Sequence, residues 1–494
     1  MLRRLLPSIG VRAVPKGAAL RSNLLLSLQF ALLFGIVYVG ADLLGGHLTQ
    51  RYSVALPLDS GIPFVPQMAI VYLSIIPLMI LAPFVMNTPR QLFPLVFVLS
   101  LEVLLAGLIF IVFPIEEMAR NRAANGPGLP FAVADTLNLR FNYLPSLHVA
   151  LSVTVATACA KSCEWPGKVF YGMWALLISA SSVLTHQHYL ADVAAGAILA
   201  AAGMLLVYPW VSRPDVLNAF RVEWICAGEF LTFARRHRRY LLIAAIIYWH
   251  AMFRWSKSRV LRVGFCLLQV IDDLLDGDRA CDREPSIVAA DVLQQLETGD
   301  FRSDRLGILA QSMATELSRL QTESDRPLAD SIALIRHMML DRERANDRAL
   351  FSHQELRRHH RVTFRHSLNL LLVAVGAKAR ADDVPELVEA FGWCSAMRDL
   401  REDLAHGLVN IPEAVVRSAE CEGAKPGCDE KLLGSKAVRA WQAEELDRAQ
   451  RKLQSFGRRR WDPVDPVGNR VLRLFHRSIV QFASRMQRDM MRGT

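Results

Sequence analysis

Apolar and polar positions divide this chain into two parts of opposite character. Apolar runs suited to crossing a bilayer, which takes roughly 20 residues each, occur near Leu24–Leu44, Met68–Met86, Leu92–Phe113, Val149–Ala160 with its flanks, Val169–Leu184 and Ala191–Tyr208. They predict six spans, or five and a re-entrant segment. The fourth and fifth are short and end at polar residues, as an interfacial site would place them. Beyond Ser212–Asp215, apolar residues recur at helical spacing through Leu241–Ile271, Ile308–Leu320, Ala329–Leu340, Leu368–Val375, Leu387–Leu404 and Val471–Met490. Loops are expected at Gly277–Ser286, Glu323–Pro327, Glu420–Lys431 and Arg458–Gly468, where Pro, Gly and charge cluster. Strand alternation is essentially absent. The expectation is an all-α chain: a basic segment 1–22, a six-helix transmembrane bundle over 23–212, a basic linker 213–238 and a soluble helical domain over 239–494.

Charge sharpens this division. Only 12 of the 57 Lys and Arg and 8 of the 47 Asp and Glu lie at or before Tyr208. Arg3, Arg4, Arg12, Lys16 and Arg21 precede a first run too long for a cleaved signal, so the start reads as an anchor with its N-terminus in the cytoplasm. A transit peptide would share that composition. With six spans, Arg235, Arg236, Arg238 and Arg239 also fall in the cytoplasm, and a bacterial inner membrane is the expected location. The net charge of +10 suits anionic lipid, and no nucleic-acid module is visible. Eight cysteines form no CxxC pair and suggest neither zinc nor a disulfide framework.

Two polar constellations stand out. In the first part, Pro145-Ser146-Leu147-His148 opens the fourth span and His188-Tyr189-Leu190-Ala191-Asp192 opens the sixth, so both histidines fall at one face. A spacing of four lets Asp192 reach one nitrogen of His188 and leave the other free as a nucleophile. His148 could then protonate a departing oxygen. Backbone N–H groups near Ser146, at a helix start, suit phosphate oxygens. These residues resemble the second and third motifs of the type 2 phosphatidic acid phosphatase (PAP2) superfamily over about residues 60–205. The resemblance implies His188 as phosphate acceptor, Asp192 as its orienting partner and His148 as general acid, with no cofactor. The family's first, Lys…Arg-Pro motif is absent, and Arg120 and Arg122 are candidates for its phosphate-binding role. Ser182 stands where Arg is usual, a form more similar to inositol-phosphorylceramide and sphingomyelin synthases. Hydrolysis and transfer to an alcohol both stay open.

In the second part, Asp272-Asp273-Leu274-Leu275-Asp276 ends an apolar helix, and Arg398-Asp399-Leu400-Arg401-Glu402-Asp403 is followed by Gly407 and Pro412. Each places two aspartates four apart on one helical face, an oxygen-only donor set suited to Mg²⁺. Ions held between the clusters would neutralise a diphosphate leaving group. Phe265-Cys266 before the first cluster, the order of the two clusters, and Met339-x-Asp341 between them resemble the squalene/phytoene synthase family over about residues 240–490. That resemblance implies a class I all-α isoprenoid synthase with Asp272, Asp273, Asp276, Asp399 and Asp403 as Mg²⁺ ligands and Arg398 on the diphosphate. Gly392, Ser395 and Asn410 depart from the family's usual Gln, Asn and Tyr.

Together the two resemblances imply a bifunctional terpenoid enzyme. One part would ionise and couple or cyclise a prenyl diphosphate, and the other would dephosphorylate a prenyl (di)phosphate. The alternatives are a lipid phosphotransferase with a degenerate C-terminal domain, and a non-catalytic prenyl-lipid binding protein.

Overall fold

The computed structural model describes residues 15–116, 128–236, 238–252, 255, 258–422, 429–459 and 461–492. Among them every regular element is helical, and the one β-pairing is an isolated bridge between Tyr52 and Ile115. The chain divides into two compact units, Met1–Phe220 and Arg221–Thr494.

The first unit contains α1 (Gly17–Gly46), α2 (Ala69–Leu73), α3 (Ile75–Val85), α4 (Pro89–Val112), α5 (Leu129–Leu137), α6 (Leu147–Lys161), α7 (Trp165–Leu184) and α8 (Leu190–Ala202). A π-helical turn, Gly203–Val207, and α9 (Tyr208–Val211) continue α8. Its core joins Phe30, Leu78, Leu95, Val103, Leu151, Val155, Tyr171 and Ile178. Its outside is apolar as well: Ile36, Ile80, Leu108, Leu176 and Leu205 are each more than half exposed. Helices apolar all round suit a lipid surrounding. Among the described residues five segments are long and apolar enough to cross a bilayer: Gly17–Gly46, Pro66–Val85, Pro89–Val112, Trp165–Leu184 and Leu190–Val211. The expected fourth span is the shorter α6, 15 residues.

Some polar groups within this core find partners. Asn23 donates to the carbonyls of Pro83 and Met86 at 3.0 and 2.8 Å, at the end of α3, within whose last turn Pro83 lies. Thr154 on α6 donates to Glu102 on α4 at 2.6 Å. Gly203 lies so close to Glu102 that a Cβ there would stand 2.8 Å from its Oε1.

The second unit continues α10 (Pro214–Arg236) with α11 (Arg239–Met252), α12 (Arg259–Leu275), α13 (Pro285–Thr298), α14 (Arg305–Ser318), α15 (Pro327–Asp347), α16 (His353–Ala374), α17 (Pro385–Ala405), α18 (Glu413–Cys421), α19 (Asp429–Gly434), α20 (Lys436–Gly457) and α21 (Pro466–Arg492). The apolar pattern over 241–271 is thus two helices, and α13 and α20 carry helical turns that the pattern left unassigned. α12 is central: Val263, Cys266, Leu267, Val270 and Ile271 are buried against α10, α14 and α15. Fully buried Arg262 is neutralised by Glu223 of α10 at 2.6 and 2.8 Å and lies over the Trp255 ring at 4.2 Å. Gly407 ends α17 at φ +91°, and a Cβ there would meet the Ala345 carbonyl of α15 at 2.6 Å. Only glycine combines that backbone conformation with so close an approach.

The same argument fixes α8 against α6. A Cβ on Gly196 would fall 2.5 Å from the Ser146 carbonyl and 3.1 Å from the Val149 side chain. Gly196→Val should therefore force the two helices apart and lower stability by about 1–3 kcal/mol, read as a drop in melting temperature of the detergent-solubilised protein.

Candidate active sites

Ser146 makes α6 begin where it does. Its Oγ accepts the Val149 N–H at 3.4 Å, and its own N–H donates to the Asp192 carbonyl at 3.0 Å. The N–H groups left for an anion are those of Leu147 and His148, which the first turn of a helix leaves without internal partners. At the other helix, His186 adopts φ 52° and contacts the Ile62 carbonyl through Nε2 at 3.1 Å. The N–H groups of Gln187 and His188 both donate to the Ser182 carbonyl at 3.1 Å. α8 then starts under two carboxylates: Asp192 accepts the Tyr189 N–H at 3.0 Å, and Asp59, from a 3-10 turn at Pro57–Gly61, accepts the Leu190 N–H at 2.9 Å.

This geometry brings the predicted residues together. The His148 and His188 rings are 6.2 Å apart, and His188 Nδ1 is 3.6 Å from Asp192 Oδ2. That separation is wider than a hydrogen bond. His188 and Asp192 are buried, and both ring nitrogens of His188 lack hydrogen-bond partners. Tyr143 meets His188 edge-on at 6.2 Å. Tyr72 supplies what the sequence reading missed: its Oη is 2.9 Å from His148 Nδ1, and the rings stack at 4.0 Å. The signal available was a hydroxyl inside the apolar run Met68–Met86. Arg120 and Arg122 lie outside the described residues.

Chemically, Asp192 behind Nδ1 of His188 and Tyr72 on Nδ1 of His148 leave the two Nε2 atoms for a substrate. A pair of imidazoles at this spacing admits one phosphoryl group between them, given reacting atoms about 3–3.5 Å apart.

In the second unit, α12 carries Asp272, Asp273 and Asp276, and α17 carries Asp399 and Asp403. Burial, then the charges of Asp276 and Asp273, push Asp272 well above the ordinary carboxylate range. Asp276, open to solvent on one side, is pushed to about 6, by burial first and then by Asp278, with Asp341 adding to it. Asp403 is pushed to about 7 by burial, and the charges of Asp399, Asp276 and Asp341 add to this against a hydrogen bond from Asn410. Asp276, Asp341 and Asp403 therefore lie within electrostatic reach of one another, across three helices. Asp341 itself is held below its ordinary value, despite burial, by His359 at 2.9 Å and Arg344 at 2.7 Å.

Two expected ligands are engaged differently. Asp273 takes Arg236 at 2.6 Å and Gln269 at 2.7 Å. Arg398, expected on the diphosphate, instead grips its neighbour Asp399 with Nε and Nη2 at 2.8 and 2.5 Å. Among the described residues no three His, Cys, Asp or Glu side chains are grouped closely enough to hold one ion. Asp272, Asp276 and Asp403, raised by burial and neighbouring carboxylates, are oxygen donors of the type a hard cation takes, but they are not gathered into one such group.

Two predictions follow from these contacts. Tyr72→Phe removes one hydrogen bond from His148 and should lower the rate of phosphate release about 10-fold, the worth of one such bond. The pH–rate profile should shift and KM should not. The raised aspartates stabilise the fold fully below their ordinary value of 3.8 and lose that contribution as pH rises through about 6 to 7. In chelator the melting temperature should therefore fall over that window, and added Mg²⁺ should raise it more at pH 8 than at pH 5.

No curated protein and no solved structure matches the chain. The squalene/phytoene synthase resemblance over residues 240–490 has no independent match behind it. Residues 115–215, which hold Ser146, His148, His188 and Asp192, match the family model of the PAP2 superfamily.

Proposed function

We propose that the first unit is a membrane-embedded lipid phosphatase working through a phosphohistidine. The observation that carries this reading is the convergence of His148 and His188 at 6.2 Å, with Asp192 behind His188. The Nε2 lone pair of His188 attacks phosphorus. The bond from phosphorus to the lipid oxygen breaks, and His148 gives its Nε2 proton to that oxygen. While His148 is doubly protonated, Tyr72 Oη accepts the Nδ1–H. Asp192 holds the proton on Nδ1 of His188 and offsets the positive charge formed there. In the second half, His148 takes a proton from water, which attacks phosphorus and restores His188. An alcohol in place of that water would give transfer, the chemistry of the sphingomyelin synthase branch.

For the second unit we propose ionisation of a prenyl diphosphate, with coupling or cyclisation of the allylic cation. Asp272, Asp276, Asp399 and Asp403 would hold Mg²⁺, and bound ions would supply charge for the departing diphosphate. The facing, mutually crowded Asp276 and Asp403 support this assignment. Arg398 would exchange Asp399 for diphosphate oxygens. The two reactions join in isoprenoid metabolism, since each acts on a phosphorylated apolar chain, and a multi-pass membrane location suits both.

His188→Ala should lower phosphate release at least about 10⁴-fold, and His148→Ala by roughly 10²–10⁴. Acid-labile ³²P-labelled protein should form with the parent and not with His188→Ala. Label in the His188 variant would refute the nucleophile assignment. Asp272→Asn or Asp399→Asn should cut diphosphate release from farnesyl or geranylgeranyl diphosphate at least about 10²-fold without touching phosphatase turnover. Undiminished product from Asp399→Asn would make the second cluster a solvated helix face.

A further inference from the structure

α11 is apolar on both sides. Tyr240, Ile243, Ala244, Ile247 and Tyr248 join the core of the second unit. Leu241, Leu242, Ile246, Trp249 and Met252 face outward and are each more than half exposed. A helix on the surface of a water-borne domain carries charge on that side. This one has no charged side chain from Tyr240 through Met252, apart from any charge on His250. Removing large apolar side chains from water is the main favourable term in association, so five of them left bare is a large unmet driving force. At about 1.5 Å per residue, its 14 residues rise about 21 Å, short of the roughly 30 Å of a hydrocarbon layer. The helix fits the plane of a bilayer surface and not its depth.

Three further observations choose lipid as the occupant. Arg235 and Arg238 are exposed just before α11, and no acidic residue occurs from Phe230 through Met252. Trp249 and the exposed Trp255 mark the other end, and tryptophan favours the headgroup level. On α10, Trp224 and Leu231 also point outward and are more than half exposed.

We propose that α11 is a monotopic membrane anchor that seats the second unit on a bilayer with anionic headgroups. Leu241, Leu242, Ile246, Trp249 and Met252 sink among acyl chains, and Arg235 and Arg238 meet lipid phosphates. The assignment is independent of both proposed reactions.

The test uses the full chain in nanodiscs, with a benzophenone amino acid at Ile246 or, as the inward control, at Ile247. Ile246 is already exposed, so the probe leaves packing intact. Irradiation should give phospholipid adducts from position 246, detected by mass, and links within residues 221–494 from position 247. Adducts from position 246 to residues before Phe220, or to a second chain, would overturn the proposal. Paired Arg235→Glu and Arg238→Glu substitutions should lower the lipid adduct yield at least about 5-fold in phosphatidylglycerol-containing discs. An unchanged yield would refute the headgroup contact.

Discussion

The close approach of α6 and α8 is the constraint on which the first site depends. Gly196 lets the Ser146 carbonyl lie where a side chain would otherwise be, and the Ser146 N–H to Asp192 carbonyl bond locks the two helix starts at one level. With the starts locked, His148 in the first turn of α6 and His188 just before α8 must face each other. Their separation is thus set by backbone geometry, which resists change far more than a pair of flexible side chains would.

Legibility followed the same division. Ser146, His148, His188 and Asp192 were readable because each is bound to a helix start, where short spacing determines mutual reach. Tyr72 and Asp59 were not, since they arrive from segments distant in sequence and no local pattern encodes that meeting. The helical run over 241–271 shows the opposite failure. Two apolar helices with only a short stretch between them, Arg239–Met252 and Arg259–Leu275, leave a nearly continuous apolar pattern whose periodicity does not mark the break. The number of spans was similarly blurred, because α6 is apolar without being long.

In the second unit the acidic clusters illustrate how partners alter a reading of residue types. The sequence motifs made Asp273 and Asp399 equal to Asp272 and Asp403 as ligands. Tertiary structure instead gives Asp273 to Arg236, and Asp399 to the adjacent Arg398. What remains is a set of carboxyls whose mutual repulsion the protein relieves only in part, through Asn410 on Asp403 and Gln269 on Asp272. Gly407 contributes here from a distance, since its left-handed backbone brings the end of α17 down on α15 and so Asp403 toward Asp341.

The shortness of α6 has a kinetic meaning. Its 15 residues rise only about 22 Å, and the segment leading into it is bound well inside the first unit. Asn142 donates to the Tyr38 carbonyl, about two turns short of the end of α1. Under the proposed function a lipid's phosphate would come down to these histidines while its tail stays among its neighbours. Turnover of such a site would respond to the mole fraction of substrate in the plane of the lipid, and diluting the suspension with water would leave it unchanged.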